Sequence, residues 1–335
     1  MSSSTPYDED VRPITTPDTS GTVRISVVMN VYNGERFVAE AIESVLAQTF
    51  TDFEFIIIND GSTDHTAEIL ADYASRDKRI IIANQPNQGV STSLNRALSL
   101  ARAPLVAHID GDDRALPHWL ERQLDFLESH PEASVVASYA LFIDSKGRYL
   151  GVAGNPIDVA KGVIEKNPRH FLEVIHSTVL MKKADIQQVG GYRMPYLLTD
   201  RDLWGRVVTS GKTIVCNPEY LVEYRLHGRS LTLGISPHEH LEKGIDVNVR
   251  RRLCGEPELS ADDLKRLFDS RSWPQIVIDR YERTALRSFV NASRAYADRR
   301  WSAFLIFLIV AILLRPWYVP IRIIRKRFLS HPTGT

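Results

Sequence analysis

A cluster of aspartates lies in the sequence PLVAHIDGDD, where Asp110, Asp112 and Asp113 follow a short apolar segment. Three carboxylates within four residues repel one another unless a cation lies between them, and carboxylate oxygens are ligands that suit Mg²⁺ and Mn²⁺. A cation held there would in turn favour a ligand that carries phosphate groups. The alternative is a solvated acidic turn that caps the helix expected after Pro117, and Asp113 suits that role even if Asp112 binds metal.

Polar side chains also follow other predicted strands in the same part of the chain. Asn30 and Tyr32 end the segment ISVVMNVY, Asp60 ends FEFIIIND, and Asn84 ends RIIIAN. In an open α/β sheet, ligands bind beyond the carboxyl ends of the parallel strands. The ring of Tyr32 could stack on a flat ligand, and the Asp60 carboxylate could accept a hydrogen bond from a base N–H. Taken singly, a half-buried aromatic and a turn residue are the simpler interpretations.

The elements that must position these residues alternate between short apolar runs and segments of helical periodicity. We predict strands over 25–32, 53–60, 79–84, 104–110 and 133–143. This alternation indicates an α/β fold with a doubly wound, mostly parallel sheet. The first strand is not followed by GxGxxG, which argues against a dinucleotide enzyme.

Other local signals place the helices and the second half of the chain. Asp64 is predicted to be the N-cap of the helix after the second strand. From residue 141 the pattern becomes that of an α+β half, with a helix over 200–211 ended by Gly211 and two strands within 213–226. We expect a helical extension over 234–300.

Charge is unevenly distributed along the 335-residue chain, although 41 basic and 41 acidic residues give a net charge of zero. Residues 299–335 contain seven Lys and Arg and no acidic residue. The zero net charge argues against a protein that coats nucleic acid, because such domains carry a basic excess. Cys216 and Cys254 are too few for a disulfide framework and are typical of reduced thiols.

The C-terminal segment contains twelve consecutive apolar residues at 303–314, followed by Arg315 and Pro316. A helix that spans a bilayer needs about 20 apolar residues, so this run is short. We therefore expect an amphipathic or hydrophobic membrane-associating segment over 301–329, with its basic residues on anionic headgroups. A true span and a helix buried in a core or an oligomer are the alternatives. The first 22 residues predict a disordered leader and show no secretory signal.

Several longer motifs occur together, in the order in which a known family carries them. They are VVMNVYNGERFVAEAIESVLAQTFTDFEFIIINDGSTDHT, NQGVSTSLNRAL, IDGDD, GGYRMPYLLTDRDLWGRV and YRLHGRSLT. Over about residues 24–233, the chain resembles a family 2 glycosyltransferase of the GT-A fold, of the inverting type found in bacterial surface-polysaccharide synthesis. The resemblance implies a nucleoside-diphosphate sugar donor, Mn²⁺ or Mg²⁺ as cofactor, and inversion at the anomeric carbon.

The resemblance also assigns roles to individual residues of this sequence. The donor would be bound by Asn30, Tyr32, Asp60, Asn95, Asp110 and Asp112. The metal would be held by Asp112, and His227 in YRLHG would reach the metal or the diphosphate as the site closes. Asp200 corresponds to the catalytic base. The acceptor side would include His176, Asp202 and Trp204, whereas His108 is more simply a hydrogen-bonded core histidine.

Two motifs depart from the family pattern. Asn30-Val31 stands where Pro-x usually precedes YNG, and Thr199 stands where Glu usually precedes the catalytic Asp. If residues 200–211 form a helix, Asp200 and Asp202 point about 200° apart, so only one can face the donor. We predict that Asp200 is the base and that Asp202 pairs with Arg206 at i+4.

The resemblance predicts a GT-A domain over 23–233, made of a nucleotide-sugar half (23–115) and an acceptor half (116–233). Residues 1–298 carry 34 basic and 41 acidic residues, and residues 299–335 are basic. This distribution predicts a location on the cytoplasmic face of the inner membrane, with a glycan or lipid-linked acceptor and no nucleic acid as partner. Two alternatives remain open at this point. One is a metal-dependent phosphotransferase with Asp110 as nucleophile. The other is a non-catalytic sugar-nucleotide-binding module, for which Thr199 in place of Glu is the motive.

Overall fold

The computed structural model describes residues 23–153, 174–193, 199–227, 239–275 and 300–314, together with isolated helical positions between 277 and 296. The predicted leader over 1–22 and the basic part of the tail after residue 314 lie outside the described residues. The strands are β1 (Ile25–Val31), β2 (Phe53–Asp60), β3 (Ile80–Gln85), β4 (Leu105–His108), β5 (Arg114–Ala115), β6 (Ala133–Ile143), β7 (Tyr149–Ala153), β8 (Leu180–Lys182) and β9 (Thr213–Arg225).

Helices connect these strands and extend beyond the sheet. They are α1 (Val38–Leu46), α2 (Thr66–Arg76), α3 (Val90–Leu100), α4 (Trp119–Ser129), α5 (Lys183–Gln188), α6 (Thr199–Thr209), α7 (Glu239–Leu253), α8 (Ala261–Asp269) and α9 (Trp301–Leu314). A 3₁₀ turn at His176–Thr178 precedes β8.

The described strands form one mixed sheet in the order β3-β2-β1-β4-β8-β6-β9-β5, and β7 pairs with β6 outside this path. β1 pairs in parallel with β2 and β4, and β2 pairs in parallel with β3. The residues of β2 are all buried, as expected for a parallel strand covered on both faces. Because β1 to β4 run in one direction, their carboxyl ends meet at one edge. The predicted donor residues lie there, except for Asn95, which lies in α3.

The sheet changes direction after β4. β8 is antiparallel to β4, with Val106 opposite Met181, and β6 is antiparallel to β8, with Val136 opposite Leu180. This pairing places the 3₁₀ turn that precedes β8 next to the carboxyl end of β4, since the N–H of His108 donates to the carbonyl of Val179 at 3.1 Å. His176 and Ser177 are thereby brought to Asp110.

Three local predictions were wrong, each because a nearby contact outweighs the local signal. Residues 213–225 form one strand instead of two. At Pro218 within this strand, the side-chain oxygen of the preceding residue, Asn217, accepts the N–H of the following residue, Glu219, at 3.2 Å. The N-cap position of α2 is His65, although Asp64 still accepts the N–H of Thr66 at 3.0 Å.

The third error concerns Asp113. Helix α4 begins only at Trp119, and β5 lies between, so Asp113 does not cap this helix. Its N–H instead donates to the carbonyl of Asp110 at 3.2 Å, which closes a tight turn at the end of β4.

The chain divides into two compact units, the first containing residues up to Ser138 and from Pro156 to Val222, the second the remainder. In the second unit, Leu141 of β6 pairs with Val152 of β7. Helices α7 and α8 pack closely there. Leu264 of α8 lies so near Gly244 of α7 that a Cβ atom added to this glycine would lie 2.4 Å from Leu264 Cδ1. The predicted domain boundaries stay a prediction.

Helix α9 also belongs to the second unit and is apolar along its length. Its exposed large side chains are Trp301, Leu305, Ile306, Ile309, Val310, Ile312 and Leu313. At 100° per residue these lie on one half of the helix, whereas Ala311 on the other half is buried. Among the described residues, no helix combines the length and apolar character that crossing a membrane would require.

Candidate active site

The loops that follow β1 and β2 are bonded to each other at the carboxyl edge of the sheet. Asn33 adopts a positive φ of 52°, and its side-chain oxygen accepts the N–H of Thr63 at 2.8 Å. The N–H of Gly34 donates to Thr66 Oγ1 at 2.8 Å. These bonds leave the ring of Tyr32 52% exposed at the end of β1, where it is available for stacking.

Asn30 lies two residues before Tyr32 on β1. Its side-chain oxygen is buried and, among the described residues, has no hydrogen-bond partner. A buried polar atom without a partner is costly unless a ligand or water satisfies it. Asn30 is therefore well suited to the donor-binding role that the resemblance implies.

Asp60 is buried and holds the loop that leads into α3. Its carboxylate accepts hydrogen bonds from Gln85 Nε2 at 2.7 Å and from the N–H groups of Gln88 and Gly89, both at 2.9 Å. A carboxylate has about four acceptor positions, so one remains for a base N–H. Asp60 thus joins the ends of β2 and β3, and its predicted contact with the donor stays a prediction.

Asp110 lies two residues after the end of β4 and is fixed by Ser177. The Ser177 hydroxyl donates to Asp110 Oδ2 at 2.8 Å and accepts the Asp110 N–H at 3.2 Å. Burial, together with the charges of Asp112 and Asp200, raises the pKa of Asp110 to about 7. Asp110 therefore shares an electrostatic environment with the predicted metal ligand and the predicted base.

Asp200 lies in the first turn of α6 and is half-buried. Burial raises the pKa of its carboxyl group, and the neighbouring charge of Arg201 only partly opposes this effect. The preceding residue, Thr199, is buried and accepts a hydrogen bond from Ser91 Oγ at 3.0 Å. Ser91 thus fixes the start of α6 to the start of α3.

Asp202 points to the other side of α6 and is 1% exposed. Arg206 Nε donates to its Oδ2 at 2.9 Å, which confirms the predicted i+4 pair. Arg193 donates to both oxygens, at 2.8 and 2.5 Å. Burial alone would raise the pKa of Asp202, but the hydrogen bonds from Arg193 and the charge of Arg206 lower it.

Asn95 fixes the backbone of Tyr192. Its Nδ2 donates to the Tyr192 carbonyl at 2.6 Å, and its Oδ1 accepts the Tyr192 N–H at 2.9 Å. The preceding residue, Gly191, has a φ of +59°, and a Cβ atom there would lie 2.6 Å from Asn95 Oδ1. Asn95 therefore has a structural role in this structure, and its predicted contact with the donor stays a prediction.

An aromatic cluster lies beside Asp110. The rings of His108 and His176 are stacked with centroids 3.6 Å apart, and His176 Nε2 lies 2.8 Å from Tyr192 Oη. The ring of Trp204, which is fully buried, meets His176 edge-on at 5.8 Å. Burial lowers the pKa of His108 to about 3 and that of His176 well below its usual range, so both rings are neutral at pH 7.

The sequence interpretation of His108 as a core histidine is confirmed, because the residue is fully buried. Its Nε2 lies 3.7 Å from Asp110 Oδ1. Ser177, Tyr192 and Arg193 were missed as parts of the site. Tyr192 and Arg193 lie in the GGYR motif, which was therefore the signal available for them, whereas nothing in the sequence indicates that Ser177 pairs with Asp110.

Two groups of side chains could hold a metal ion at this edge. Asp110 and Asp112 offer the carboxylate oxygens that Mg²⁺ and Mn²⁺ prefer, and the raised pKa of Asp110 indicates negative charge that a cation would offset. Ligand atoms of His108, Asp110 and His176 also lie within 4.8 Å of one another. The stacked geometry and burial of His108 suit packing better than ligation, so the carboxylates fit a metal better. His227 belongs to the second unit, and its metal contact stays a prediction.

Comparison with known proteins identifies the family of this chain. The model of the family described as Glycosyl transferase family 2 matches residues 26–187. An uncharacterized glycosyltransferase of Haemophilus influenzae is 34% identical over 302 residues, which are 80% of this chain and 90% of that protein. The chain belongs to glycosyltransferase family 2. This membership decides against the phosphotransferase and the non-catalytic binding module.

Two further comparisons bear on biological setting and fold. A putative teichuronic acid biosynthesis glycosyltransferase, TuaG of Bacillus subtilis, is 30% identical over 214 residues, covering 62% of this family 2 chain and 81% of TuaG. The crystal structure of S. aureus TarS 1-349 in complex with UDP-GlcNAc matches with a TM-score of 0.59 at 18% identity, over 82% of this chain and 81% of that one. The predicted GT-A fold is confirmed.

Proposed function

We propose that this family 2 glycosyltransferase transfers a sugar from a nucleoside diphosphate to an acceptor hydroxyl in one displacement, with inversion at the anomeric carbon. The observation that carries the proposal is the place of Asp110, which follows β4 and accepts the Ser177 hydroxyl on Oδ2 at 2.8 Å. Asp112 lies two residues further along the chain, and Asp200 lies in the first turn of α6. Burial raises the pKa of Asp110 most, and the charges of Asp112 and Asp200 are near enough to raise it further.

Asp200 is the proposed general base. The acceptor O–H gives its proton to the Asp200 carboxylate while its oxygen forms a bond to the anomeric carbon, and the bond from that carbon to the diphosphate oxygen breaks. Burial raises the pKa of Asp200, which makes it a better proton acceptor than an exposed aspartate. A retaining hydrolase would instead need two carboxylates close together around the sugar.

Asp112 is the proposed metal ligand, with Asp110 beside it. When bound, Mn²⁺ or Mg²⁺ would supply positive charge for the departing diphosphate. Ser177 supports this role because its hydroxyl orients Asp110. The two stacked histidines are neutral, and they therefore bring no positive charge that would compete with a cation for the aspartates.

The donor site is proposed at the carboxyl ends of β1 and β2. Tyr32 offers an exposed aromatic face for the base, and the buried oxygen of Asn30 lacks a protein partner among the described residues. The TarS structure, which shares the fold, was solved with UDP-GlcNAc. A UDP-sugar is therefore the first donor to test.

The acceptor is proposed to be a lipid-linked glycan at the cytoplasmic face of the inner membrane, in the synthesis of a surface polysaccharide. Two features support this setting. The large side chains on the exposed half of α9 are all apolar. Residues 299–335 carry seven basic residues and no acidic residue. Apolar surface next to positive charge favours binding to anionic lipid. The name of TuaG, a putative teichuronic acid biosynthesis glycosyltransferase, is consistent with this setting.

A donor screen tests the proposal. The full-length protein is incubated with UDP-, GDP- and dTDP-sugars and Mn²⁺, and release of nucleoside diphosphate is measured with EDTA-treated samples as control. We expect release with one nucleotide class and its loss with EDTA. Inversion is checked from the anomeric configuration of the product by NMR. A product that retains the donor configuration would overturn the single-displacement mechanism.

A further inference from the structure

A buried ion network joins α6 to the turn before it, and the reaction proposed above does not use it directly. Its centre is Asp202, which accepts hydrogen bonds from Arg193 Nη2 on Oδ1 at 2.5 Å and from Arg206 Nε on Oδ2 at 2.9 Å. Asp202 is 1% exposed and Arg206 is 6% exposed. Substrate therefore cannot reach the Asp202 carboxylate in this conformation.

Arg206 extends the network to the backbone. Its two terminal nitrogens donate to the carbonyls of Val189 and Gly191, the latter at 2.6 Å. Between these carbonyls lies Gly190, whose φ is +88°. The guanidinium group of Arg206 thus ties both sides of a tight turn directly to α6, and Arg193, which follows that turn, is bonded to Asp202 of the same helix.

Stability alone does not account well for this arrangement. Two arginines bond to one aspartate in a mostly buried position. Burying charged groups costs free energy that their attraction only partly returns, and apolar side chains of similar volume often stabilise as well. What such a network supplies better than apolar packing is a defined geometry.

The geometry that it defines is the rotation of α6 about its own axis. Side chains extend about 5–6 Å from a helix axis, so a rotation of roughly 20° would move the Asp200 carboxylate by about 2 Å. A misplacement of about 1 Å at a reacting group can lower the rate about 100-fold. Asp202 lies two residues after Asp200, on the opposite side of the helix, so bonds to Asp202 fix where Asp200 points.

We propose that Asp202, held by Arg193 and Arg206, is a positioning residue that directs the Asp200 carboxylate toward the acceptor hydroxyl. This inference rests on the proposed role of Asp200 as the base. The Ser91–Thr199 hydrogen bond fixes the start of α6, and the Asp202 network fixes its rotation.

The variant Asp202→Asn tests the proposal, because it keeps the shape of the side chain and removes the charge. We expect kcat for the donor that turns over in the screen to fall about 10- to 100-fold, with an unchanged KM for that donor. The double variant Asp202→Asn/Arg206→Met also removes one of the two guanidinium groups that bond to Asp202. We expect the double variant to have no higher kcat than Asp202→Asn, whatever its melting temperature.

Glu54→Gln is the matched control for loss of a buried ion pair. Glu54 is buried at the start of β2, at the opposite end of the strand from Asp60, and accepts from Arg102 Nε at 2.7 Å. We expect this variant to have a lower melting temperature and an unchanged kcat. Comparison with this control separates a general loss of protein stability from a displacement of the Asp200 carboxylate.

Asp200→Asn is measured in parallel, so that two failures are distinguishable. If Asp200→Asn keeps normal turnover, the proposed base is wrong, and the positioning role of Asp202 is wrong with it. If Asp200→Asn is inactive while Asp202→Asn keeps wild-type kcat, only the positioning role is overturned. Recovery of kcat together with melting temperature in the double variant would also overturn it, because the network would then only stabilise the fold.

Discussion

Asp110 and Ser177 are bonded to each other in both directions: the serine hydroxyl donates to the carboxylate at 2.8 Å and accepts the aspartate N–H at 3.2 Å. They are 67 residues apart in the sequence and meet because β8 lies antiparallel to β4. The hydrogen bond lowers the pKa of Asp110 and so opposes the effects of burial and of Asp112. Ser177 therefore favours the charged form of Asp110, which is the form that the proposed donor and metal site would use.

The variant Ser177→Ala removes this hydrogen bond without adding volume. We expect affinity for the donor in the presence of Mn²⁺ to fall roughly 3- to 10-fold, as for loss of one hydrogen bond. Isothermal titration with the donor, with and without Mn²⁺, measures the effect. Ser44→Ala is the control, because Ser44 Oγ donates to a backbone carbonyl within α1. Equal losses in both variants would contradict the specific role of Ser177.

Variants of Asp112 and Asp200 are expected to lose activity for different reasons. Asp200→Asn removes the proton acceptor and leaves the donor site intact, so turnover should fall about 10²- to 10⁴-fold with nearly unchanged donor affinity. Asp112→Asn should weaken donor binding that depends on metal. Steady-state kinetics and donor titration on both variants separate the two roles. Normal transfer rates in Asp200→Asn would exclude it as the base.

The exposed half of α9 is expected to bind lipid. Replacing Ile306 and Ile309 together by Glu places charge on that half, and we expect the variant to lose co-sedimentation with phosphatidylcholine/phosphatidylglycerol vesicles while donor turnover in solution stays unchanged. Leu267→Glu is the control, since Leu267 is also an exposed apolar residue but lies in α8. Continued sedimentation after deletion of residues 300–335 would show that another surface binds the membrane.

Stability should depend on pH through Asp144 in the second unit. Its buried carboxylate accepts Arg148 Nε at 2.7 Å and the N–H of Lys146 at 2.8 Å. Burial alone would raise the pKa of Asp144, but these bonds hold it below the usual 3.8. Its stabilising effect is therefore complete above about pH 3.8 and is lost as the pH falls further through the folded-state pKa.

The variant Asp144→Asn should lower the free energy of unfolding by about 2 kcal/mol at pH 7. This difference from the wild type should shrink as the pH falls below about 3.8, the unfolded-state pKa of aspartate. Chemical denaturation at several pH values measures the change. Asp125→Asn, at an exposed position on α4, should change stability by less than about 0.5 kcal/mol at every pH.

The parallel part of the sheet was predictable because burial dominates there. Strand β2 begins and ends as predicted, and the bounds of β6 also agree, since each is an apolar run long enough to cross the sheet. Asp110, Asp112 and Asp60 follow such runs, so their place at one edge follows from strand direction alone. The longer sequence motifs then identified the family, which the pattern of strands alone could not identify.

The parts that escaped prediction depend on contacts distant in sequence. The single strand β9 continues past Pro218, where the side-chain oxygen of Asn217 accepts the N–H of Glu219. The Asn95–Tyr192 pair joins residues 97 apart, and neither residue type indicates the other. One of the two partners of Asp202 was predictable. Arg206 follows from the i+4 spacing on a helix, whereas Arg193 reaches Asp202 only because of the turn that Arg206 holds.

The tight fit at Gly191 has a consequence for protein engineering. Any side chain at this position would displace the Asn95 amide, because its Cβ atom would lie 2.6 Å from Asn95 Oδ1. Libraries designed to change acceptor choice should therefore keep Gly191 and Asn95 together and vary half-buried residues around them instead. A library that randomises Gly191 would return mostly poorly folded enzymes, whatever acceptor it was selected on.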